Sequence, residues 1–183
     1  MHPLRNRGSA TLVAVRVERL DPDEWARLRV LRLRALEDEP DAIGGSAQTE
    51  RAHDEAAWRR FATLGPWWVA VEEDRDVGLV AAGRRDDDPT VRVYSMWVDP
   101  ACRGRGVADA LLDAVRAYAV AAGSPRIALD VADRVPRARR LYERYGFVAT
   151  GVVEPMDRDP AIRLVELALD LDLADGARGA DGA

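Results

Sequence analysis

The stretch Asp99 to Ala108, DPACRGRGVA, concentrates residue types that can hold a phosphate. An alternating apolar run ends at Val98, and a short loop rich in arginine and glycine follows. A helical pattern then begins, with Val107, Leu111, Val115 and Tyr118 along one stripe. The first turn of a helix carries unpaired N–H groups and a partial positive charge. Gly104 and Gly106 lack Cβ, so backbone can approach a ligand closely, and Arg103 and Arg105 add charge and donors. This combination suits a phosphate or diphosphate. The bland alternative is a tight turn with solvated arginines, since a glycine-rich loop alone is weak evidence. There is no GxxxxGKS/T, which excludes a Walker loop. The absence of GxGxxG, and a position after the fourth strand, make a dinucleotide fingerprint poor.

Other reactive side chains are few. All 27 basic residues are arginine, so no lysine can serve as Schiff base or general base. Cys102 is the lone cysteine, which excludes an intrachain disulfide. A helix start beside it could lower its pKa, but no histidine is near to act as base, so a structural role is the better reading. His2 and His53 lie far apart, no Cys/His metal spacing exists and no metal is expected. His53 reads as a surface residue. Of Trp67 and Trp68, one is expected in the core and the other as a floor for a cleft.

The elements that must position these groups form a mixed α/β series. A strand is expected over 11–20. Asp21-Pro22 then caps a helix that carries Trp25, Leu28, Leu31 and Ala35, a loop spans 39–50, and a second helix spans 51–63. Period-two runs follow at 67–73, 78–85 and 91–99, with turns at 74–78 and 86–90. A helix from about Gly104 to Ala122, a strand at 126–132, a helix from Pro136 to Tyr145 and strands at 147–154 and 162–171 complete the order. Residues 1–10 read as a flexible arm, 11–173 as one domain and 174–183 as a disordered tail. A chain of 183 residues leaves no length for a second full domain. The net charge of -5 disfavours a globally basic nucleic-acid binder. The start MHPLRNRGSA lacks the apolar core of a signal peptide and no run approaches about 18 apolar residues, so a cytoplasmic setting without membrane is expected.

Two motifs carry a family resemblance. Arg103-Gly104-Arg105-Gly106-Val107-Ala108 matches the R/Q-x-x-G-x-G/A signature of the GNAT superfamily of acetyl-CoA-dependent N-acetyltransferases. Met96-Trp97-Val98-Asp99-Pro100 is similar to the family's fourth strand and its exit. Ala138-x-x-Leu141-Tyr142-Glu143-x-x-Gly146-Phe147 resembles its A-x-x-LY-E-x-x-GF motif. LRVLRLRALEDEPDAIGGS is similar to the first helix and loop of many small members. The resemblance covers about 13–170. It implies a GNAT-like fold: a mixed, mostly antiparallel sheet of six to seven strands, splayed between the fourth and fifth, flanked by about four helices.

The resemblance also implies a cofactor, acetyl-CoA, and a set of roles. The diphosphate would sit on backbone N–H groups of Arg103, Gly104, Arg105, Gly106, Val107, Ala108 and Asp109. The pantetheine arm would pair with backbone at Met96, Trp97 and Val98, with Val135, Ala138 and Tyr142 close by. An amine attacking the thioester needs a donor near sulfur and a donor at the oxyanion. Tyr142 matches the first and the Val98 N–H the second. The residues alone favour Tyr142 as core, since Ala138, Leu141, Tyr142 and Tyr145 form a helical stripe; Tyr145 reads as packing. Asp130 sits where some members carry a base, and its apolar flanks, Leu129 and Val131, would raise its pKa by desolvation. A solvent-facing or arginine-paired carboxylate is the equal alternative, and a water relay to Glu72 or Glu73 a weaker one. Many members have Asn where this chain has Val135, which is a poor helix cap.

The acceptor, a small-molecule amine or a peptide N-terminus, would lie against roughly 25–60 and 152–163. Glu37, Asp38, Glu39, Asp41 and Glu50 make that region acidic, which suits a cationic amine; a solvated acidic helix end is the alternative. A homodimer is among the expectations, because dimers are common among similar proteins. A CoA-binding sensor and a cofactor-free interaction module are the competing classes.

Overall fold

The structure is a computed structural model that describes residues 15–85 and 87–172. The arm at 1–10, most of the first strand's apolar alternation and the tail at 174–183 lie outside the described residues. Seven strands form one sheet: β1 (Arg16–Arg19), β2 (Trp67–Glu72), β3 (Arg75–Gly83), β4 (Val91–Val98), β5 (Arg126–Ala132), β6 (Val148–Met156) and β7 (Asp159–Asp170). Their order is β1-β2-β3-β4-β5-β7-β6, and every neighbouring pair is antiparallel except β4 and β5. The expected mixed, mostly antiparallel sheet is therefore present.

Five α-helices flank it, one more than expected: α1 (Trp25–Asp38), α2 (Ala47–Arg51), α3 (Glu55–Ala62), α4 (Val107–Ala121) and α5 (Pro136–Tyr145). The extra element is α2, which forms at the end of the loop expected over 39–50, while the helix expected over 51–63 is α3. Ser46 caps α2 through the Thr49 N–H, and Asp54 caps α3 through the Ala57 N–H at 2.8 Å. The second cap stops the first helix at Ala52. The turn expected at 74–78 is tighter: Glu73 and Asp74 both take positive φ, and β3 already starts at Arg75. Gly78 lies inside β3, where an added Cβ would meet Leu111, Val107 and the Trp97 carbonyl. It serves close approach of α4 to the sheet.

Each face of the sheet buries its own core. Val107, Leu111, Leu112 and Val115 of α4 cover one face with Trp68, Ala70 and Val80. Leu28, Leu31, Ala35 and Leu36 of α1 cover the other with Trp67, Val69 and Leu79. β2 is buried along its whole length, so both tryptophans are core, on opposite faces, and neither lines the two clefts described below. No helix among the described residues is long and apolar enough to cross a membrane.

Candidate active site

The site begins where β4 and β5 part. They pair only at Val91 with Ile127 and Arg92 with Ala128. Beyond that point β4 is held from its β3 side alone. Asp99 N–H donates to the Val77 carbonyl at 2.9 Å, so strand alternation turns the N–H and C=O of Val98 toward the gap. A bulge precedes this segment: Leu79 faces Trp97 while Ala81 faces Tyr94, and Ser95 sits at φ 54°.

The gap is a cleft of about 590 Å³. One wall is Met96, Trp97 and Val98; the other is Val135, Ala138 and Tyr142 from the start and middle of α5. Arg103, Gly104, Gly106, Ala108 and Asp109 close one end. Arg105 and Val107 do not line it: Val107 is in the core, and the Arg105 side chain turns to Glu72 at 2.6 Å.

The closing loop is built locally. Asp99 caps a single 3-10 turn at Pro100–Cys102 by accepting from Ala101 N–H. Gly104 and Gly106 then take φ 74° and 86°, which β-carbon-bearing residues resist, and Gly106 becomes the N-cap of α4. Because glycine has no side chain, nothing caps the helix. The first backbone bond is Ala110 N–H to Gly106 C=O at 3.0 Å, and the amides of 104–109 meet no acceptor among the described residues. A Cβ on Gly104 or Gly106 would meet nothing within 4 Å, so the loop faces open space. These are free donors at a positive helix end.

The loop arginines behave differently from expectation. Arg103 Nε donates to the Val98 carbonyl at 2.9 Å, and its Nη2 binds Asp38 and Glu39 at the end of α1. Arg137 binds Glu39 as well. Both loop guanidiniums are thus engaged by carboxylates, and the free donors are main-chain.

A second cleft, of about 390 Å³, opens on the far side of Tyr142. Ala42 to Gly45 from the loop after α1, and Glu154 to Arg158 from the β6–β7 hairpin, form its sides. Ala42, Met96 and Tyr142 line both clefts, which places these three at their junction. Tyr142 is 8% exposed, with its ring 5.8 Å from that of Phe147. Burial pushes its phenol well above the ordinary tyrosine range, so it keeps its proton. Tyr145 instead donates to Asp113 at 2.7 Å and packs on Phe147.

Asp130 also lines the second cleft, but not in an apolar setting. Leu129 and Val131 turn to the core, whereas the Asp130 side chain is 37% exposed and accepts from Arg92 Nη2 at 2.8 Å. Strand alternation sends its apolar sequence neighbours to the other face of the sheet. Arg92 is buried and also binds Glu166 at 2.9 Å. Of the relay candidates, Glu72 is buried against Arg105 and Cys102, Glu73 is in the exposed β2–β3 turn, and neither lines either of these two clefts. Burial and then Glu72 push the Cys102 thiol up, which opposes a thiolate. His53 is exposed and edge-on to Trp58.

The acidic acceptor region is neutralised. Glu37 pairs with Arg51, Asp38 with Arg103, Glu39 with Arg103 and Arg137, Asp41 with Arg158, and Glu50 with Arg32. The charge argument for a cationic acceptor therefore lapses.

Val135 is the N-cap of α5 and makes no side-chain cap bond. Val135→Asn is expected to stabilise the chain by about 0.5 to 1 kcal/mol, since an Asn side chain can accept from a first-turn N–H. A thermal melt checks it; an unchanged or lower Tm would refute it.

Solved acetyltransferases share this fold. One from Streptococcus pneumoniae, described as of the GNAT family, matches with TM-score 0.70 at 18% identity, over 87% of this chain and all of that one. A Salmonella typhimurium acetyltransferase, solved with its cofactor acetyl-CoA, matches with TM-score 0.67 at 22% identity, over 87% and 95%. The profile of the acetyltransferase (GNAT) family matches residues 27–147, and the chain belongs to that family. This bears out the resemblance read from Arg103–Ala108 and Ala138–Phe147. Among curated relatives, N-acetylaspartate synthetase of Danio rerio is 38% identical over 103 residues, 54% of this chain and 36% of that protein. The chain thus spans about a third of that relative's length.

Proposed function

We propose that the chain transfers acetyl from acetyl-CoA to a primary amine by direct attack in a ternary complex. One observation carries the reading: a buried, protonated Tyr142 stands where a cleft ending in six free amides meets a second, separate cleft. The residues present fit the cofactor. The free amides of 104–109 would take the diphosphate, and the parted β4 edge at Met96 to Val98 would take the pantetheine amides as an added strand. Acetyl-CoA supplies, when bound, an acetyl group activated as a thioester. The Val98 N–H, turned to the gap, is the donor for a carbonyl oxygen that gains charge. Tyr142 Oη holds a proton that it can give to a departing sulfur. Asp130, with Oδ2 tied to Arg92, keeps Oδ1 for orienting the amine or accepting its proton. A cytoplasmic setting and a soluble acceptor, small molecule or peptide, complete the reading. An amino-acid amine comes first, supported by the name of the Danio rerio relative.

The test is a thiol-release screen with acetyl-CoA against L-aspartate, other amino acids, spermidine and a peptide with a free N-terminus. A thermal shift with CoA runs in parallel, because a ligand bound only by the native state raises Tm. Thiol release with at least one amine supports the proposal. A shift in Tm without release would make the chain a CoA-binding sensor, and no shift would point to an interaction module.

A further inference from the structure

We infer that Arg32 is a positioning residue for the acceptor, a buried guanidinium that sets the spacing between two walls of the second cleft. This rests on reading that cleft as the acceptor's. Arg32 lies on α1, is 4% exposed and lines neither cleft. Its Nε and Nη2 make a two-pronged contact with Glu50 of α2 at 3.0 and 2.8 Å. Nη2 also donates to the Gly44 carbonyl in the loop after α1, and Nη1 donates to Ser95 Oγ at 2.8 Å. One planar group therefore joins four chain segments. Two of its partners, Gly44 in the loop after α1 and Ser95 on β4, both line the acceptor cleft.

The surroundings are shaped to this group. Gly45 has φ 119°, and a Cβ there would collide with the Glu50 carboxylate and the Arg32 guanidinium. Ser95 holds a left-handed φ of 54° inside a strand, which persists only when its surroundings over-determine it. Its hydroxyl bond to Arg32 is one such constraint, and Met96, at the junction of both clefts, is the next residue. A buried ion pair adds little net stability over an apolar pair of equal volume, so geometry is the better account of its presence. A flexible lysine could not reproduce the fork. The cofactor wall is fixed independently. Trp97 and Val98 are registered on Leu79 and Gly78 of β3, and the Val98 carbonyl is held by Arg103. Loss of the Arg32 contacts should thus loosen the acceptor side and spare the cofactor side.

Ser95→Ala and Glu50→Gln, both mild enough to fold, are compared with the parent chain and with Arg32→Lys. Thiol release is followed at saturating acetyl-CoA with the panel amine that the parent turns over fastest. The expected result is an amine KM raised about fivefold or more in each variant, with kcat within about threefold and the acetyl-CoA Kd within about twofold, the pattern of lost acceptor binding. Unchanged KM values, or a Kd for acetyl-CoA that rises in step, would overturn the inference. If the parent releases no thiol, the proposed activity fails by itself, and hydrogen exchange decides the inference. Amides of 42–50 should then exchange about fivefold faster in Ser95→Ala, while α4 stays within about twofold. Equal rates would overturn it.

Discussion

Tyr142→Phe is expected to lower kcat for thiol release by about 10²- to 10⁴-fold, the range for loss of a positioned general acid, while the Kd for acetyl-CoA stays within about twofold. The substitution removes one hydroxyl and keeps the ring that packs on Phe147. That hydroxyl makes no hydrogen bond to a described residue, so its loss leaves no protein partner unsatisfied. A fall in acetyl-CoA affinity without a fall in kcat would make Tyr142 a packing residue. The pH dependence follows from the raised phenol pKa. A buried phenol that keeps its proton contributes stability that is fully present below the unfolded tyrosine pKa of about 10 and is lost as pH rises toward the folded value. The parent should therefore show no loss of rate from this group below about pH 10. Its Tm should fall more steeply than that of Tyr142→Phe above that pH. Tyr145, whose phenol is also pushed up, leaves a residual alkaline fall in both.

The second large effect is expected from the loop glycines. Gly104→Ala combined with Gly106→Ala should weaken acetyl-CoA binding by about tenfold or more, or about 1.4 kcal/mol. Both residues hold positive φ, where an L side chain costs about 1 to 2 kcal/mol. The variant's loop will relax toward negative φ and turn its amides away from their common focus. Neither added methyl meets protein within 4 Å, so the rest of the fold has no cause to move. The two Cβ atoms would stand in the space offered to the ligand. Calorimetric titration with acetyl-CoA checks the prediction, with circular dichroism to show that α4 is retained. An unchanged Kd would mean that the diphosphate is not gripped here. Arg105→Ala, by contrast, should change the Kd little, because that guanidinium is engaged by Glu72.

Local signals made part of this molecule legible. β5 at 126–132 and α5 from Pro136 to Tyr145 have the bounds read from the sequence, because a proline, a glycine and a short apolar run mark their ends. The phosphate loop is legible for the same reason: its glycines and arginines are contiguous, and the helix stripe follows at once from Val107. Pairings across long separations were not. Glu39 meets Arg137 across 98 positions, and nothing near either residue announces the other. The acidic appearance of 37–50 was therefore misleading. The setting of Asp130 is hidden in the sequence for another reason. Its sequence neighbours are apolar, but in a strand they face away, and its true neighbour is Arg92 on β4. Arg32 does carry a local signal. It lies four residues from both Leu28 and Leu36, inside the buried stripe of α1, where a charge requires a partner. The two tryptophans could not be separated by pattern, since a strand covered on both faces has no exposed side.

Amide chemical shifts followed during titration of the ¹⁵N-labelled chain, once with CoA and once with pantetheine, interrogate the free-amide bend most directly. CoA should shift Gly104 to Asp109 strongly, along with Met96 to Val98, whereas pantetheine, which has no diphosphate, should move Met96 to Val98 and leave 104–109 in place. Equal shifts at 104–109 with both ligands, or none with CoA, would contradict diphosphate binding at the start of α4.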